Sequence, residues 1–260
     1  MPSRHRHVLP YRDYGGDGPH VVALHGHFGT SASFGALAAA LGDRVRLTAP
    51  DQRGHGFAPR GGNSSVESYL SLLERFLEAH ISDPVTLLGH SMGGTHAMLL
   101  AARRPDLVAG LVVEDQPAVV GPAILDVTAW PRRAASFTAL AETLRERGIE
   151  NPSYFLLGAA RFADGWGFGF DHDDVVESQR RLVGDYSRAW RAINVPTLLV
   201  RGANSFILDE DIAAEMVATQ PKAVLHQFDG CGHWVHDDDP AGVADALHYF
   251  LATLPSEPVE

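Results

Sequence analysis

One serine in this chain stands in a pattern suited to nucleophilic attack. The segment Val85-Thr86-Leu87-Leu88-Gly89-His90-Ser91-Met92-Gly93-Gly94 runs from an apolar, strand-like stretch into a helical pattern that begins near Met92. Gly-x-Ser-x-Gly therefore falls at a strand-to-helix turn, the setting of a nucleophile elbow. The spacing has a steric reason: the serine occupies a strained turn, and side chains at the flanking positions would collide with the adjacent strand and helix, so glycine stands there. Ser91 would lie at a helix N-terminus, where unpaired amides and the helix dipole favour developing negative charge. That is chemistry for acyl transfer through a covalent serine intermediate.

A serine hydroxyl is a weak nucleophile and needs a base within hydrogen-bond reach. Of the fourteen histidines, His233 is the candidate, because it follows the last strand-like run in the glycine-flanked loop Gly230-Cys231-Gly232-His233-Trp234. His25, His55 and His90 read as loop-bracing residues, His96 lies in the helix after the elbow, and His236 reads as a helix N-terminal or surface residue. Carboxylates that could hold the base occur in Leu111-Val112-Val113-Glu114-Asp115-Gln116-Pro117 and at Asp209. Neighbouring strand residues face opposite ways, so Glu114 points away if Asp115 points in. Asp115 and Asp209 both remain candidates on this reading.

The elements that must position these groups alternate regularly. Strands are expected at His20–His25, Val45–Ala49, Val85–Leu88, Leu107–Val113, Thr197–Val200 and Ala223–Phe228, with helices at Ser31–Leu41, Ser65–His80, Met92–Arg104, Asp209–Thr219 and Pro240–Leu254. This is an α/β pattern, a mainly parallel twisted sheet flanked by helices. It is interrupted between Pro117 and Asn194, where helical patterns at Ala134–Arg147 and Val175–Ala192 occur without a convincing strand. The expectation is a core domain of residues 1–117 and 195–260 carrying a helical cap, residues 118–194. Phe162–Asp174 reads as an irregular loop, either over the site or on the cap surface.

With these elements in place, the chain resembles the α/β-hydrolase superfamily. Leu24-His25-Gly26-His27-Phe28-Gly29 is similar to that family's oxyanion loop, Asp51-Gln52-Arg53-Gly54-His55-Gly56 to its conserved turn, and Gly230–Trp234 to its catalytic-histidine loop. The resemblance implies an oxyanion hole formed by the backbone N–H groups of His27 and Met92, with Phe28 as the alternative first donor. The family order of serine, acid and histidine also supports His233 as base. At the family's usual acid position, however, Leu198-Leu199-Val200-Arg201-Gly202-Ala203-Asn204-Ser205 presents Ser205, which cannot hold an imidazolium as a carboxylate does. Together with Asp115 and Gly232-His233-Trp234-Val235-His236, this resembles a group of small bacterial carboxylesterases and acyl thioesterases. In that group the acid follows the earlier strand and a serine at the later site joins the histidine–acid network. The resemblance implies Asp115 as acid and Ser205 as an auxiliary residue, with Asp209 the second choice.

The implied reaction is hydrolysis of an ester or thioester through an acyl-enzyme, needing no metal or organic cofactor. Serine at position 91 argues against dehalogenase or epoxide hydrolase chemistry, which in this fold uses a carboxylate nucleophile. Lactonases, carbon–carbon bond hydrolases and cofactor-free perhydrolases keep the serine and stay open. So do a slow-turnover ligand receptor and, more remotely, a partner-binding module with a vestigial site.

Composition narrows the setting. At 260 residues and 45% hydrophobic, the chain can bury the core of one domain. A net charge of −11, with no basic run, argues against nucleic-acid partners. The single cysteine, Cys231, excludes an internal disulfide and any thiolate metal cluster, which suits a reducing cytoplasm. Met1–Pro10 lacks the apolar stretch of an export signal, and no apolar run reaches the roughly 18 residues that cross a bilayer. The expectation is a cytoplasmic enzyme without membrane insertion, acting on a small-molecule ester. The cap supplies Phe137, Phe155, Leu156, Phe162, Trp166, Phe168 and Phe170, for an apolar substrate group or for the cap's own core. Arg132-Arg133 reads as a solvated face before an anion site. Nothing in the composition marks an oligomeric state.

Overall fold

The structure, a computed structural model, describes residues 9–254; residues 1–8, most of the segment read above for an export signal, lie outside the described residues. Five strands come first: β1 (Tyr11–Gly15), β2 (His20–Leu24), β3 (Arg46–Pro50), β4 (Val85–His90) and β5 (Val108–Glu114). Helix α1 (Gly35–Leu41) follows β2, α2 (Val66–His80) follows β3, and α3 (Met92–Arg103) follows β4. The chain then leaves the sheet through β6 (Val119–Val120), α4 (Phe137–Arg145), α5 (Ser153–Leu156), β7 (Ala160–Phe162), β8 (Gly165–Gly167), α6 (His172–Leu182), β9 (Gly184–Asp185) and α7 (Ser187–Ala192). It returns with β10 (Thr197–Gly202), α8 (Glu210–Thr219), β11 (Ala223–Phe228), α9 (Val235–Asp238) and α10 (Pro240–Ala252).

Seven strands form one sheet in the order β1-β3-β2-β4-β5-β10-β11, parallel throughout except for β1. Every residue of β4 and β10 is buried, because helices cover both faces; this is why these strands read as continuous apolar runs. Alternation divides the side chains between the faces. Val22, Leu24, Leu87, Leu111 and Leu199 pack with Leu73, Phe76 and Leu77 of α2 and Met98 and Leu100 of α3. Val21, Ala23, Leu88, Val112 and Leu198 pack with Leu37 and Leu41 of α1 and Leu247, Phe250 and Leu251 of α10.

The six expected strands are all present, and β1 is an addition. Its Tyr11, Arg12 and Asp13 are exposed on an antiparallel edge, so it carries little of the apolar pattern by which strands are read. The stretch expected as one helix from Val175 to Ala192 is two, α6 and α7, separated by β9, which pairs with β6. Helix α7 packs on the sheet side: Trp190 lies in the cluster of α2 and α3, and its indole N–H donates to the Met216 carbonyl at 2.8 Å. Phe162–Asp174 is not an irregular loop but the β7–β8 hairpin followed by the start of α6. Beyond the hairpin, Phe168 and Phe170 are buried, and backbone bonds from Asp171 to Gly54 (2.7 Å) and from Gly56 to Gly169 (2.5 Å) stitch this connection to the turn after β3.

Phe155, Leu156, Phe168 and Phe170 form a cluster of their own with Trp130, Leu140, Leu144 and Val175, and Phe28 from the loop after β2 joins it. Phe137 is exposed and meets Trp166 edge-on, while Arg133 lies 3.7 Å over the Phe162 ring. Arg132 and Arg133 pair with Asp173 and Asp164 on a solvated surface. Among the described residues no helix is long and apolar enough to cross a membrane.

Candidate active site

Ser91 ends β4 and begins α3 with φ 52° and ψ −123°. The turn is held from three sides: Ser91 N–H donates to the Glu114 carbonyl at 3.0 Å, and the Ser91 carbonyl accepts from Gly94 and Thr95. A Cβ on Gly89 would come within 2.2 Å of the Gly93 carbonyl oxygen, and one on Gly93 within 2.1 Å of the Leu24 carbonyl oxygen. Both flanking glycines are therefore required by close approach of backbone. Ser91 itself is half-buried.

His233 and Asp115 meet across the sheet. The imidazole Nδ1 and the carboxylate Oδ2 are 2.7 Å apart, with Asp115 fully buried and His233 nearly so. Asp115 follows β5 with φ 51°, a left-handed conformation in which aspartate is among the tolerated residues. Three donors converge on its carboxylate: His233 Nδ1–H and the Ser205 hydroxyl on Oδ2, and Gly202 N–H on Oδ1 at 3.2 Å. Ser205 Oγ also accepts from the amides of Ile207 (3.0 Å) and Leu208 (3.1 Å), which leaves its hydrogen free to point at Asp115. Asp209, the second-choice acid, is exposed beside the N-terminus of α8, and His233 Nδ1 bonds to Asp115 instead.

The loop after β2 packs against the elbow: a Cβ on Gly26 would sit 2.9 Å from that of Ser91. Among the described residues, the amides of His27, Phe28 and Met92 have no hydrogen-bond partner. Phe28 adopts φ 68°. The His27 ring bonds Ser178 of α6 at 3.0 Å, and the same hydroxyl approaches Met92 Sδ at 3.5 Å. One residue of the inserted segment thus touches the side chains of both residues whose amides were expected to serve the oxyanion.

His25, His55 and His90 brace loops as expected, each through a ring nitrogen bonded to a backbone carbonyl. His25 Nε2 accepts from Gln52 N–H at 2.9 Å, so its Nδ1 carries the proton and donates to the Gly26 carbonyl at 2.8 Å. The Gln52 amide donates to the His25 carbonyl, which turns its oxygen toward His96 Nδ1 at 2.7 Å. Burial holds His25, His55, His90 and His96 below the usual histidine range, His96 down to about 3. The Tyr154 hydroxyl of α5 reaches His90 Nδ1 at 3.5 Å.

His236 stands in the first turn of α9, one of its two readings, but not at the surface. It is fully buried, and its ring Nδ1 and backbone N–H meet Glu114 Oε1 at 2.7 and 2.9 Å. Alternation did turn Glu114 away from Asp115, but into the interior. His90, Glu114 and His236 offer possible metal-ligand atoms within 4.8 Å of one another. Two of these residues already bond each other, and His90 Nε2 donates to the His233 carbonyl at 2.9 Å, so the set reads as a hydrogen-bonded core. Two sequence features could have flagged it: Glu114 is an ionisable residue in an apolar strand, and His236 lies three residues beyond His233.

A model of the alpha/beta hydrolase family matches residues 21–246. The chain is 30% identical over 264 positions to an sn-1-specific diacylglycerol lipase of Mus musculus, covering 94% of this chain and 85% of that protein. It is 29% identical over 248 positions to the esterase YbfF of Escherichia coli strain K12, covering 89% and 92%. Among solved structures, a marine microorganism esterase superposes with a TM-score of 0.81 at 25% identity, covering 94% of this chain and 99% of that one. With the elbow, the sheet order and these matches in agreement, the chain belongs to the alpha/beta hydrolase family.

Proposed function

We propose that this enzyme is a carboxylic ester hydrolase in which Ser91 is the nucleophile, His233 the general base and Asp115 the acid that orients it. Ser91 attacks the ester or thioester carbonyl as His233 Nε2 takes its proton. The tetrahedral oxyanion is received by the amides of His27 and Met92, with Phe28 N–H the alternative to His27. His233 then protonates the leaving group, and a water activated by the same imidazole releases the acid from the acyl-enzyme. Ser205 steadies the Asp115 carboxylate at Oδ2, the same oxygen that meets the imidazole.

The observation that carries this reading is the buried 2.7 Å contact between His233 and Asp115, on a loop whose carbonyl is bonded by the residue preceding Ser91. It supports Nδ1 as the protonated nitrogen, with Nε2 the base in this reading. Within residues 118–194, the part before α7 acts in this reading as a cap over the core, since Ser178 contacts His27 and Met92 and the aromatic cluster takes in Phe28, whereas α7 packs with the core. Esterase and lipase names among the relatives support a carboxylic ester as substrate.

The test is hydrolysis of p-nitrophenyl esters from acetate to dodecanoate by wild type and Ser91→Ala. Wild type is expected to turn over with an acyl-enzyme burst and Ser91→Ala to be inactive. If wild type cleaves no ester or thioester while a fluorophosphonate still labels Ser91, the nucleophile stands and the ester reading falls.

A further inference from the structure

Behind His233 lies a second carboxylate–imidazole contact that the reaction itself does not consume. We propose that Glu114 and His236 form a positioning pair that holds the His233 loop in register with the nucleophile elbow; this rests on His233 being the base.

Glu114 is joined to both partners of the reaction. Its backbone carbonyl accepts the Ser91 N–H at 3.0 Å, and its side-chain Oε1 accepts the His236 N–H at 2.9 Å and the His236 ring Nδ1 at 2.7 Å. The next residue along the chain is Asp115. Two consecutive residues at the end of β5 therefore locate the nucleophile, the acid and the loop that carries the base. His90 completes the frame from the other side: its Nε2–H donates to the His233 carbonyl, and its ring lies 4.6 Å from the His233 ring and 5.0 Å from the His236 ring.

Burial gives the pair its stiffness. Glu114 is 1% and His236 0% exposed, and an unpaired charge at such depth is costly, whereas a paired one is tolerated. Burial opposes the charged His236 ring, but the Glu114 carboxylate, with Asp237 and Asp238 nearby, outweighs it and raises the His236 pKa. The outer atoms, Glu114 Oε2 and His236 Nε2, have no other partner. Any slip of the His233 loop along β5 would strand both groups, so the loop has one position that satisfies them.

A base misplaced by about 1 Å can cost about a hundredfold in rate without a comparable loss of substrate affinity. Glu114→Ala is expected to lower kcat by about 10²-fold while KM changes less than about threefold. Glu114→Gln keeps an acceptor for both His236 donors and loses the charge. It is expected to recover most of that loss, ending within about tenfold of wild type. The downfield proton resonance of His233 Nδ1–H, bonded to Asp115, is expected to shift or broaden in the alanine variant and to persist in the glutamine variant. Should the alanine variant fail to fold, Glu114→Gln carries the test through its own reduced kcat at unchanged KM. A folded Glu114→Ala variant with wild-type kcat and an unmoved resonance overturns the pair, as does, should that variant not fold, a Glu114→Gln variant whose kcat equals that of wild type. If instead His233→Ala retains turnover, the assignment of the base has failed, which is a separate result.

Discussion

Asp115→Asn is the substitution whose cost follows most directly from the geometry. Three donors point at the Asp115 carboxylate, two at Oδ2 and one at Oδ1. An asparagine has one acceptor oxygen and must aim its NH₂ at one of these sites. Facing it toward Oδ2's partners would oppose both His233 Nδ1–H and the Ser205 hydroxyl. Facing it toward Gly202 N–H opposes one donor at 3.2 Å, so that rotamer should prevail and the imidazole should keep its tautomer. What is then lost is the negative charge beside the imidazolium that forms in the transition state. With charge centres about 4 Å apart and an effective dielectric near 20, that interaction is about 4 kcal/mol, or a thousandfold in rate. We expect kcat/KM for p-nitrophenyl butyrate to fall about 10³-fold in Asp115→Asn. Asp209→Asn, at an exposed position, should stay within about twofold of wild type. Tenfold or smaller loss in Asp115→Asn, or an inactive Asp209→Asn, would refute the acid assignment and the charge argument with it.

Ser205→Ala removes a hydrogen bond to a charged group and strands the Ile207 and Leu208 amides, yet leaves the His233–Asp115 contact in place. Urea unfolding should show a loss of about 2–4 kcal/mol, with kcat/KM reduced about tenfold, well short of the Asp115→Asn effect; unchanged stability would mean that water replaces the hydroxyl. Acid should destabilise the fold through its neutral buried histidines. His96, 1% exposed and held down to about 3 by burial and by His27 and His25, stays uncharged in the folded chain while the unfolded chain takes up its proton below about 6.5. Stability is therefore full above that pH and falls as pH drops from about 6.5 toward 3, by about 2 kcal/mol from this residue at pH 5. Urea midpoints at pH 7 and pH 5 should move closer together in His96→Gln, and an unaltered pH slope would count against the argument.

Much of this molecule is local in origin and was legible without coordinates. The elbow at Ser91 is set by neighbours in sequence, because a strand-to-helix turn with glycines on both sides has few other solutions. The covered strands announced themselves by unbroken apolar runs, and the long helices by three- and four-residue spacing. His233 followed from its glycine-flanked loop after the last strand, with the family order in support.

The choice between Asp115 and Asp209 was different in kind. Both follow strands in the chain, and the strand ends become neighbours only when the sheet assembles. β10 lies between β5 and β11, and at its end Gly202 has no side chain; a Cβ there would come within 2.0 Å of the Gly232 carbonyl oxygen. That close passage brings the His233 loop over β10 to Asp115 at the end of β5. The same passage buries His236 against Glu114, two residues 122 positions apart, so a histidine that reads as helix N-terminal or surface became part of the interior. Spacing along the chain specifies what a residue can do within its own element; the partner it meets across the sheet depends on strand order and on which backbones pass closely enough to touch.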